Sequence, residues 1–251
     1  MKYINKNLLI ERVKVKDIAK KFGTPAYCYS YRQLKENISN FKKSFSSFAP
    51  LVCFAVKSNT NVSLIREIRK FGLGADVVSM GELMIALKAG INPKKIVFSG
   101  VGKTSNEISY AIDKKILLIN AESRSEINEI ERIARSKKKI VNIGIRLNPN
   151  TDAKTLKQIS TGKKENKFGV DQKTFFELVD YSKISKNIDL KCLSVHIGSQ
   201  ILDHKPYEKM LKVVNKIIQK SNHNFEYIDL GGGMGISYEK NNKKLNYQKY
   251  N

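Results

Sequence analysis

The sequence predicts an α/β fold built on a parallel sheet, and two patterns support this. Short runs rich in β-branched residues alternate with longer runs whose apolar residues recur every three or four positions. There are seven of these strand-like runs. Strands that alternate with helices pair in parallel through right-handed crossovers, either in an open sheet or in a closed eight-stranded barrel. Seven strands therefore suit a barrel that lacks its last strand.

The elements follow one another in a regular order. A helix-like stretch opens the chain, and a short strand is predicted at residues 26–29. The seven strands are predicted at residues 51–56, 75–78, 95–98, 116–119, 140–147, 189–195 and 226–230. Helices are predicted between them at residues 62–71, 81–89, 105–112, 124–136, 172–183 and 207–220. One long irregular stretch, residues 148–171, interrupts the pattern, and a loop of that length is usually functional.

Composition indicates a globular protein without membrane contact. The 251 residues are 41% hydrophobic, which is enough for a core, and no run of about 18 uncharged apolar residues occurs. Residues 1–10 lack the apolar stretch and cleavage site of a secretory signal, which predicts a cytoplasmic location.

The net charge of +23 raises the question of a nucleic-acid partner. Of the 46 basic residues, only 8 are arginine, whose planar guanidinium contacts bases and phosphates in bidentate fashion. Lysines scattered over solvated faces explain the charge better, so we expect no nucleic-acid partner.

Neither the cysteines nor the histidines indicate a metal site. Cys28, Cys53 and Cys192 lie in apolar runs without CxxC spacing, so they are predicted to be buried thiols in a reducing compartment. The three histidines share no ligand spacing such as HxxxH.

Polar residues follow several strands, at the ends where α/β proteins bind ligands. Lys57 ends an apolar run. It is either a lysine that reaches solvent or an amine made reactive by desolvation, able to form a Schiff base with a carbonyl cofactor. His196 precedes Gly198 and Ser199, which suits an aromatic ring beside a phosphate, although a lone histidine is more often a core residue.

Asp76 and Arg146 also lie near strand ends. Each of them, taken alone, is equally consistent with an ordinary surface charge, and a carboxylate there is also typical of a helix amino terminus.

The segment GGGMG at residues 231–235 follows a strand and can present backbone N–H groups to a phosphate, or it can be a flexible turn. As a dinucleotide fingerprint GxGxxG it is weak, because Ile236 stands where glycine or alanine is required. GVGKTS at residues 100–105 is similar to the end of a P-loop, but the first glycine of that motif would fall on Val97. We therefore reject a Walker motif.

Together, an amine, an imidazole, a serine and a glycine loop at strand ends are the groups needed to hold pyridoxal 5′-phosphate. The chain resembles the alanine-racemase-like, fold-type III decarboxylases that use this cofactor. The matching segments keep their order over nearly the whole chain: FGTPAYCYS, CFAVKSNTNVSLI, GLGADVVSMGELMIALKAG, KIVFSGVGKT, STGKKENKFGV, HIGSQ and DLGGGMG. The resemblance implies a (β/α)8 TIM-type barrel, incomplete here with seven of eight strands.

The resemblance also implies roles for individual residues. Lys57 would carry the cofactor covalently, and His196 would stack on its ring. Ser199, Gly232 and Gly233 would hold its phosphate.

Asp76 and Arg146 would be inner-pocket residues that orient the lysine and the ring. The reaction implied is loss of CO2 from an amino acid. Gln200 in HIGSQ, together with FGTPAYCYS and STGKKENKFGV, favours meso-2,6-diaminopimelate as the substrate and L-lysine as the product. A related decarboxylase of arginine, ornithine or carboxynorspermidine, or a non-catalytic barrel that regulates a partner, are the alternatives.

By the same resemblance, residues 1–30 would be a helix and a strand that belong with a β domain absent from this chain. Residues 31–251 would form the cofactor-binding barrel. The carboxylate that pairs with the ring nitrogen would lie beyond residue 251, so these residues alone are expected to be inactive. The intact enzyme is expected to be a homodimer with a small-molecule amino acid as substrate.

Overall fold

The computed structural model describes residues 2–153, 161–162, 168–238 and 247–250. The chain divides after Pro50 into two compact units. The first unit has a three-stranded antiparallel sheet and two helices. Its elements are β1 (Lys2–Ile4), β2 (Asn7–Ile10), β3 (Val13–Lys14), α1 (Val15–Phe22) and α2 (Tyr31–Ser44).

The first unit differs in part from the sequence prediction. The opening helix is confirmed as α1, but residues 26–29 have no regular secondary structure. An isolated extended segment becomes a strand only when a neighbour completes its hydrogen bonds, and no described segment pairs with it. The small sheet was not predicted, because strands of two to four residues are too short to show a periodicity. The helix α2 was not predicted either.

The second unit is the predicted α/β domain. Its seven parallel strands pair in the order of the sequence, which makes β4 and β10 the two edges and gives an incomplete (β/α)8 barrel. The strands are β4 (Cys53–Ala55), β5 (Gly74–Val77), β6 (Ile96–Phe98), β7 (Leu118–Ala121), β8 (Val141–Arg146), β9 (Ile188–Ser194) and β10 (Tyr227–Asp229).

All six predicted crossover helices are present, and most begin at a side-chain cap. They are α3 (Val62–Lys70), α4 (Met80–Lys88), α5 (Ser105–Asp113), α6 (Arg124–Ser136), α7 (Gln172–Ile184) and α8 (Lys205–Ser221). In five of them a polar side chain accepts a hydrogen bond from the first turn, which satisfies backbone donors that the helix leaves unpaired. These caps are Asn61, Ser79, Thr104, Ser123 and Asp171. Within the described parts of the chain, no helix is long and apolar enough to cross a bilayer.

The core explains why the strands are apolar and the helices amphipathic. Phe98 and Ile143 on strands and Ile130 and Phe175 on helices are fully buried in a single cluster. One predicted strand is displaced: it was placed at residues 116–119 but occupies Leu118–Ala121, so that Asn120 lies inside β7 instead of after it. Its pairing with β6 and β8 sets these bounds, and this pairing cannot be read from the local pattern.

Gly74 at the start of β5 tests this packing. A Cβ atom there would lie 2.1 Å from the carbonyl oxygen of Lys95 and 2.9 Å from Sγ of Cys53. We expect Gly74→Ala to destabilise the protein by about 1–3 kcal/mol or more, because backbone must move to admit the methyl group. Urea unfolding monitored by circular dichroism measures the change.

Gly81→Ala is the matched control. Gly81 lies in α4, and the nearest atom to its added Cβ, Oγ of Ser79, is 3.8 Å away. This variant should be as stable as the parent or more stable by up to about 1 kcal/mol, since alanine favours helix. Equal stabilities of the two variants would contradict the close approach at Gly74.

Candidate active site

The loops that follow β9 and β10 lie side by side and are joined through their backbones. Ile201 N donates to Gly233 O at 2.9 Å, and Gly235 N donates back to Ile201 O at 2.9 Å. Gln200 adds a side-chain bond, since its Oε1 accepts from Ile236 N at 3.0 Å. The HIGSQ and GGGMG motifs therefore form one structure at the carboxyl edge of the sheet.

Gly233 shows why this loop is built from glycine. It has a φ of +86°, and a Cβ atom there would lie 1.8 Å from Gly198 O. Gly232 differs, because nothing lies within 4 Å of its added Cβ. Its carbonyl oxygen accepts from the hydroxyl of Tyr207 at 2.8 Å. The turn is fixed on one side and open above Gly232.

His196 lies against this turn. Its Nδ1 accepts a hydrogen bond from Gly232 N at 3.2 Å. Burial, together with the nearby positive charges of Arg146 and Lys57, lowers the pKa of His196 to about 4. The imidazole is therefore neutral at pH 7, with its proton on Nε2. The structure thus brings a neutral aromatic ring next to the glycine turn.

Lys57 lies in a 3-10 turn, Val56–Ser58, directly after β4. Its charge is close enough to lower the pKa values of both Asp76 and His196. Lys57 is exposed, however. The described residues therefore do not give it the desolvated environment that the sequence analysis considered. The turn carries the side chain past the apolar strand, which leaves the amine accessible.

Asp76 lies on β5, paired in register with Ala55 of β4. Burial is the main cause that raises the pKa of Asp76 to about 6; the carboxylate of Asp229 also raises it, and a hydrogen bond with Ser99 opposes the rise. The ammonium of Lys57 favours the charged form. Asp76 is thus a carboxyl group that titrates near neutral pH beside the amine.

Arg146 ends β8 and makes an ion pair that the sequence analysis missed. Its Nη1 lies 3.0 Å from Oε1 of Glu122, and the two side chains are 12% and 3% exposed. The guanidinium also lies over the ring of Phe168, 4.9 Å from its centroid. The only sequence signal for Glu122 is its place directly after β7.

Asp229 was also missed, although it lies only two residues before the glycine loop. Its Oδ1 accepts from Gly231 N at 2.8 Å. Its Oδ2 accepts from Asn120 Nδ2 at 2.9 Å and from Ser194 Oγ at 3.0 Å. The side-chain oxygen of Asn120 is buried and has no hydrogen-bond partner among the residues that the structure describes. Asp229 therefore connects the interior of the sheet to the glycine turn.

The remaining predicted residues have mixed outcomes. Ser199 is exposed beside the turn, with its Cα 3.3 Å from an added Cβ of Gly233. Cys192 is buried as predicted, Cys53 is partly buried, and the prediction for Cys28 is wrong because it is exposed in an irregular segment. No group of three potential metal ligands occurs among the residues that the structure describes.

Comparisons with known proteins identify the family of this chain. The model of the pyridoxal-dependent decarboxylase family, pyridoxal binding domain, matches residues 31–251. A diaminopimelate decarboxylase of Aquifex aeolicus is 41% identical over 248 residues, which cover 97% of this chain and 58% of that protein. One of Helicobacter pylori is 44% identical over 222 residues, covering 87% of this chain and 55% of that protein.

A solved structure is also similar to this chain. The crystal structure of diaminopimelate decarboxylase from Helicobacter pylori complexed with L-lysine has a TM-score of 0.90 at 40% identity, and the match covers 94% of this chain and 60% of that one. The present chain thus spans a little more than half the length of the relatives it matches. The family model covers most of the chain, so this chain belongs to the pyridoxal-dependent decarboxylases, whose cofactor is pyridoxal 5′-phosphate.

Proposed function

We propose that this chain forms the cofactor-binding barrel of a decarboxylase that converts meso-2,6-diaminopimelate to L-lysine and CO2. The observation that carries the proposal is the grouping of Lys57, the neutral His196 and the glycine turn at one edge of the sheet. Two named relatives are diaminopimelate decarboxylases at 41% and 44% identity, which supports this substrate.

The residues present fit the cofactor. The space above Gly232 is open, so an anion can approach the backbone of the turn, whereas Gly233 has no room for a side chain. Ser199 adds a hydroxyl at this edge. We assign the phosphate to Ser199, Gly232 and Gly233. The exposed amine of Lys57 would bind the aldehyde carbon covalently, and the flat ring of His196 would stack on the pyridine.

When bound, the cofactor supplies an electron-withdrawing ring that accepts the charge left as CO2 departs. The residues of this chain position the substrate and manage protons. Asp76 can hold a proton on its carboxyl group near pH 6, close to Lys57 Nζ. We assign Asp76 and Arg146 to the inner pocket, where they orient the amine and the ring. His196 stays neutral, so its ring adds no charge against the cofactor.

The assembly and location are part of the proposal. We propose a cytoplasmic homodimer, in which residues 1–30 belong with a β domain and residues 31–251 form the barrel. The three cysteines make no disulfide within the described chain, which suits a reducing compartment. Light scattering on the protein expressed from the complete reading frame measures the subunit number.

The substrate assignment is tested with that same protein. We expect release of CO2 and L-lysine from meso-2,6-diaminopimelate at a kcat/KM at least about 100-fold above that for arginine or ornithine, because a site that pairs the distal polar groups of one substrate rejects analogues that lack them. Turnover of ornithine or arginine in preference to diaminopimelate would contradict the assignment.

Lys57 is tested by reduction with borohydride in the presence of the cofactor. We expect about one pyridoxyl group per chain, attached at Lys57 in the tryptic peptide map, and none at this position in Lys57→Ala. Lys88→Ala, on an exposed position of α4, is the control and should label like the parent. A pyridoxyl label that persists in Lys57→Ala would contradict the role assigned to this amine.

The opposite pKa shifts of His196 and Asp76 give a pH test. His196 has its pKa lowered from 6.5 to about 4, so the stability that it contributes is present above pH 6.5 and is lost as the pH falls through 4. Asp76 has its pKa raised from 3.8 to about 6, so the stability that it contributes is present below pH 3.8 and is lost as the pH rises through 6. Between pH 4 and 6, the contribution of His196 to the free energy of unfolding therefore increases with pH, and that of Asp76 decreases.

Replacing one of these two side chains should leave only the pH dependence of unfolding that the other one produces. In Asp76→Asn the free energy of unfolding should rise with pH more steeply than in the parent, by up to about 1.4 kcal/mol per pH unit between pH 4 and 6. In His196→Gln it should rise less steeply by a similar amount. Urea unfolding at several pH values measures both slopes, and a change of the same sign in both variants would disprove the assigned shifts.

A further inference from the structure

We propose that Glu122 is a positioning residue that holds Arg146 and the backbone of Phe168–Val170 together at the mouth of the site. This inference rests on the proposed function in one respect, the inner-pocket role of Arg146. Glu122 itself is placed to act through Arg146 and the chain segment, without a direct part in the chemistry.

Both oxygens of Glu122 are engaged. Oε1 accepts from Arg146 Nη1 at 3.0 Å, and Oε2 accepts from Gly169 N at 3.1 Å. The side chain is 3% exposed. A buried carboxylate that accepts two hydrogen bonds, one of them from a guanidinium, is held much more firmly than a surface ion pair. Glu122 therefore links a side chain of β8 to a residue 23 positions further along the chain.

Arg146 is held from two directions. Glu122 binds the edge of its guanidinium, and the ring of Phe168 covers a face at 4.9 Å. The segment that carries Phe168 is itself bound to β8, since Val170 N donates to Arg146 O at 2.9 Å and Asn148 N donates to Val170 O at 2.8 Å. Loss of the carboxylate would release one contact of the guanidinium and one backbone contact of the segment at once.

Glu122 is in turn fixed by a second buried ion pair. Its backbone N donates to Oε2 of Glu126 at 2.8 Å, and Oε1 of Glu126 lies 2.6 Å from Nζ of Lys103. Lys103 also donates to the carbonyl oxygens of Gly100 and Asn120, at 2.6 and 2.7 Å. The two charge pairs thus connect the ends of β6, β7 and β8. These contacts restrict the position of the Glu122 carboxylate.

The position of Arg146 matters because its charge reaches the site. Arg146 is one of the two cations whose charge acts on His196. A guanidinium released from Glu122 would either move toward solvent or remain as an uncompensated charge in a partly buried place, which is costly. Either outcome changes the charge distribution that the cofactor meets.

The test compares Glu122→Gln with Glu131→Gln. Glu131 is a buried carboxylate on α6 that accepts from Tyr181 and, at 2.6 Å, from Ser185, away from the site. We expect Glu122→Gln to weaken binding of pyridoxal 5′-phosphate by roughly 10- to 100-fold, as for a lost hydrogen bond to a charged group. Glu131→Gln should bind the cofactor like the parent while losing stability. Fluorescence titration gives the affinities.

A second pair of variants separates positioning from general damage. If Glu122 acts through Arg146, adding Glu122→Gln to an Arg146→Gln protein should change cofactor affinity by less than about twofold. Equal losses in the two backgrounds, or an affinity unchanged by Glu122→Gln alone, would overturn the proposal.

A measurement without cofactor decides the other half of the claim. Amide exchange at Gly169 should be at least about tenfold faster in Glu122→Ala than in the parent and unchanged in Glu131→Gln. Unchanged exchange at Gly169 would overturn the link to the segment. A parent protein that binds no pyridoxal 5′-phosphate would refute the proposed function instead, and exchange at Gly169 would still decide whether Glu122 holds the segment.

Discussion

Parallel pairing of seven consecutive strands is the constraint on which the rest of the structure depends. Parallel neighbours end at the same edge, so residues far apart in sequence are brought to one place. The register pairs Ala55 with Asp76, which sets Lys57 two residues beyond that pair at the end of β4. At the other side of the sheet, the loops after β9 and β10 are joined through Ile201 and Gly233. The candidate site therefore forms where the carboxyl ends of the parallel strands meet.

Buried charge shapes this edge as much as backbone geometry does. Three carboxylates reach into it: Asp76 beside Lys57, Asp229 beneath the glycine turn and Glu122 against Arg146. Charges in low dielectric persist only with partners, and here each carboxylate has an amide, a hydroxyl or a cation at hand. Burial, helped by the charges of Arg146 and Lys57, keeps His196 neutral. The arrangement leaves an uncharged ring beside the open glycine turn.

Sequence patterns predicted much of this, but not all. The crossover helices and the residues of the HIGSQ and GGGMG motifs could be predicted because periodicity and local motifs are visible over a few positions. Glu122 directly follows β7 and Asp229 is the last residue of β10. Both were missed because a single acidic residue at a strand end is indistinguishable from a helix-terminal charge. Their partners lie 24 and up to 109 residues away. The exposure of Cys28 was mispredicted for a similar reason, since its apolar surroundings in sequence do not pack on it in the structure.

By itself, the sequence determined the α/β class, the six crossover helices and the chemical groups suited to binding a phosphorylated aldehyde. These follow from side-chain periodicity and residue chemistry. Only the tertiary structure decided which oxygen binds which nitrogen, and hence that Asp76 titrates near pH 6 while His196 stays neutral. Burial and distance set those properties. Both depend on pairings across the sheet, which no local stretch of residues encodes.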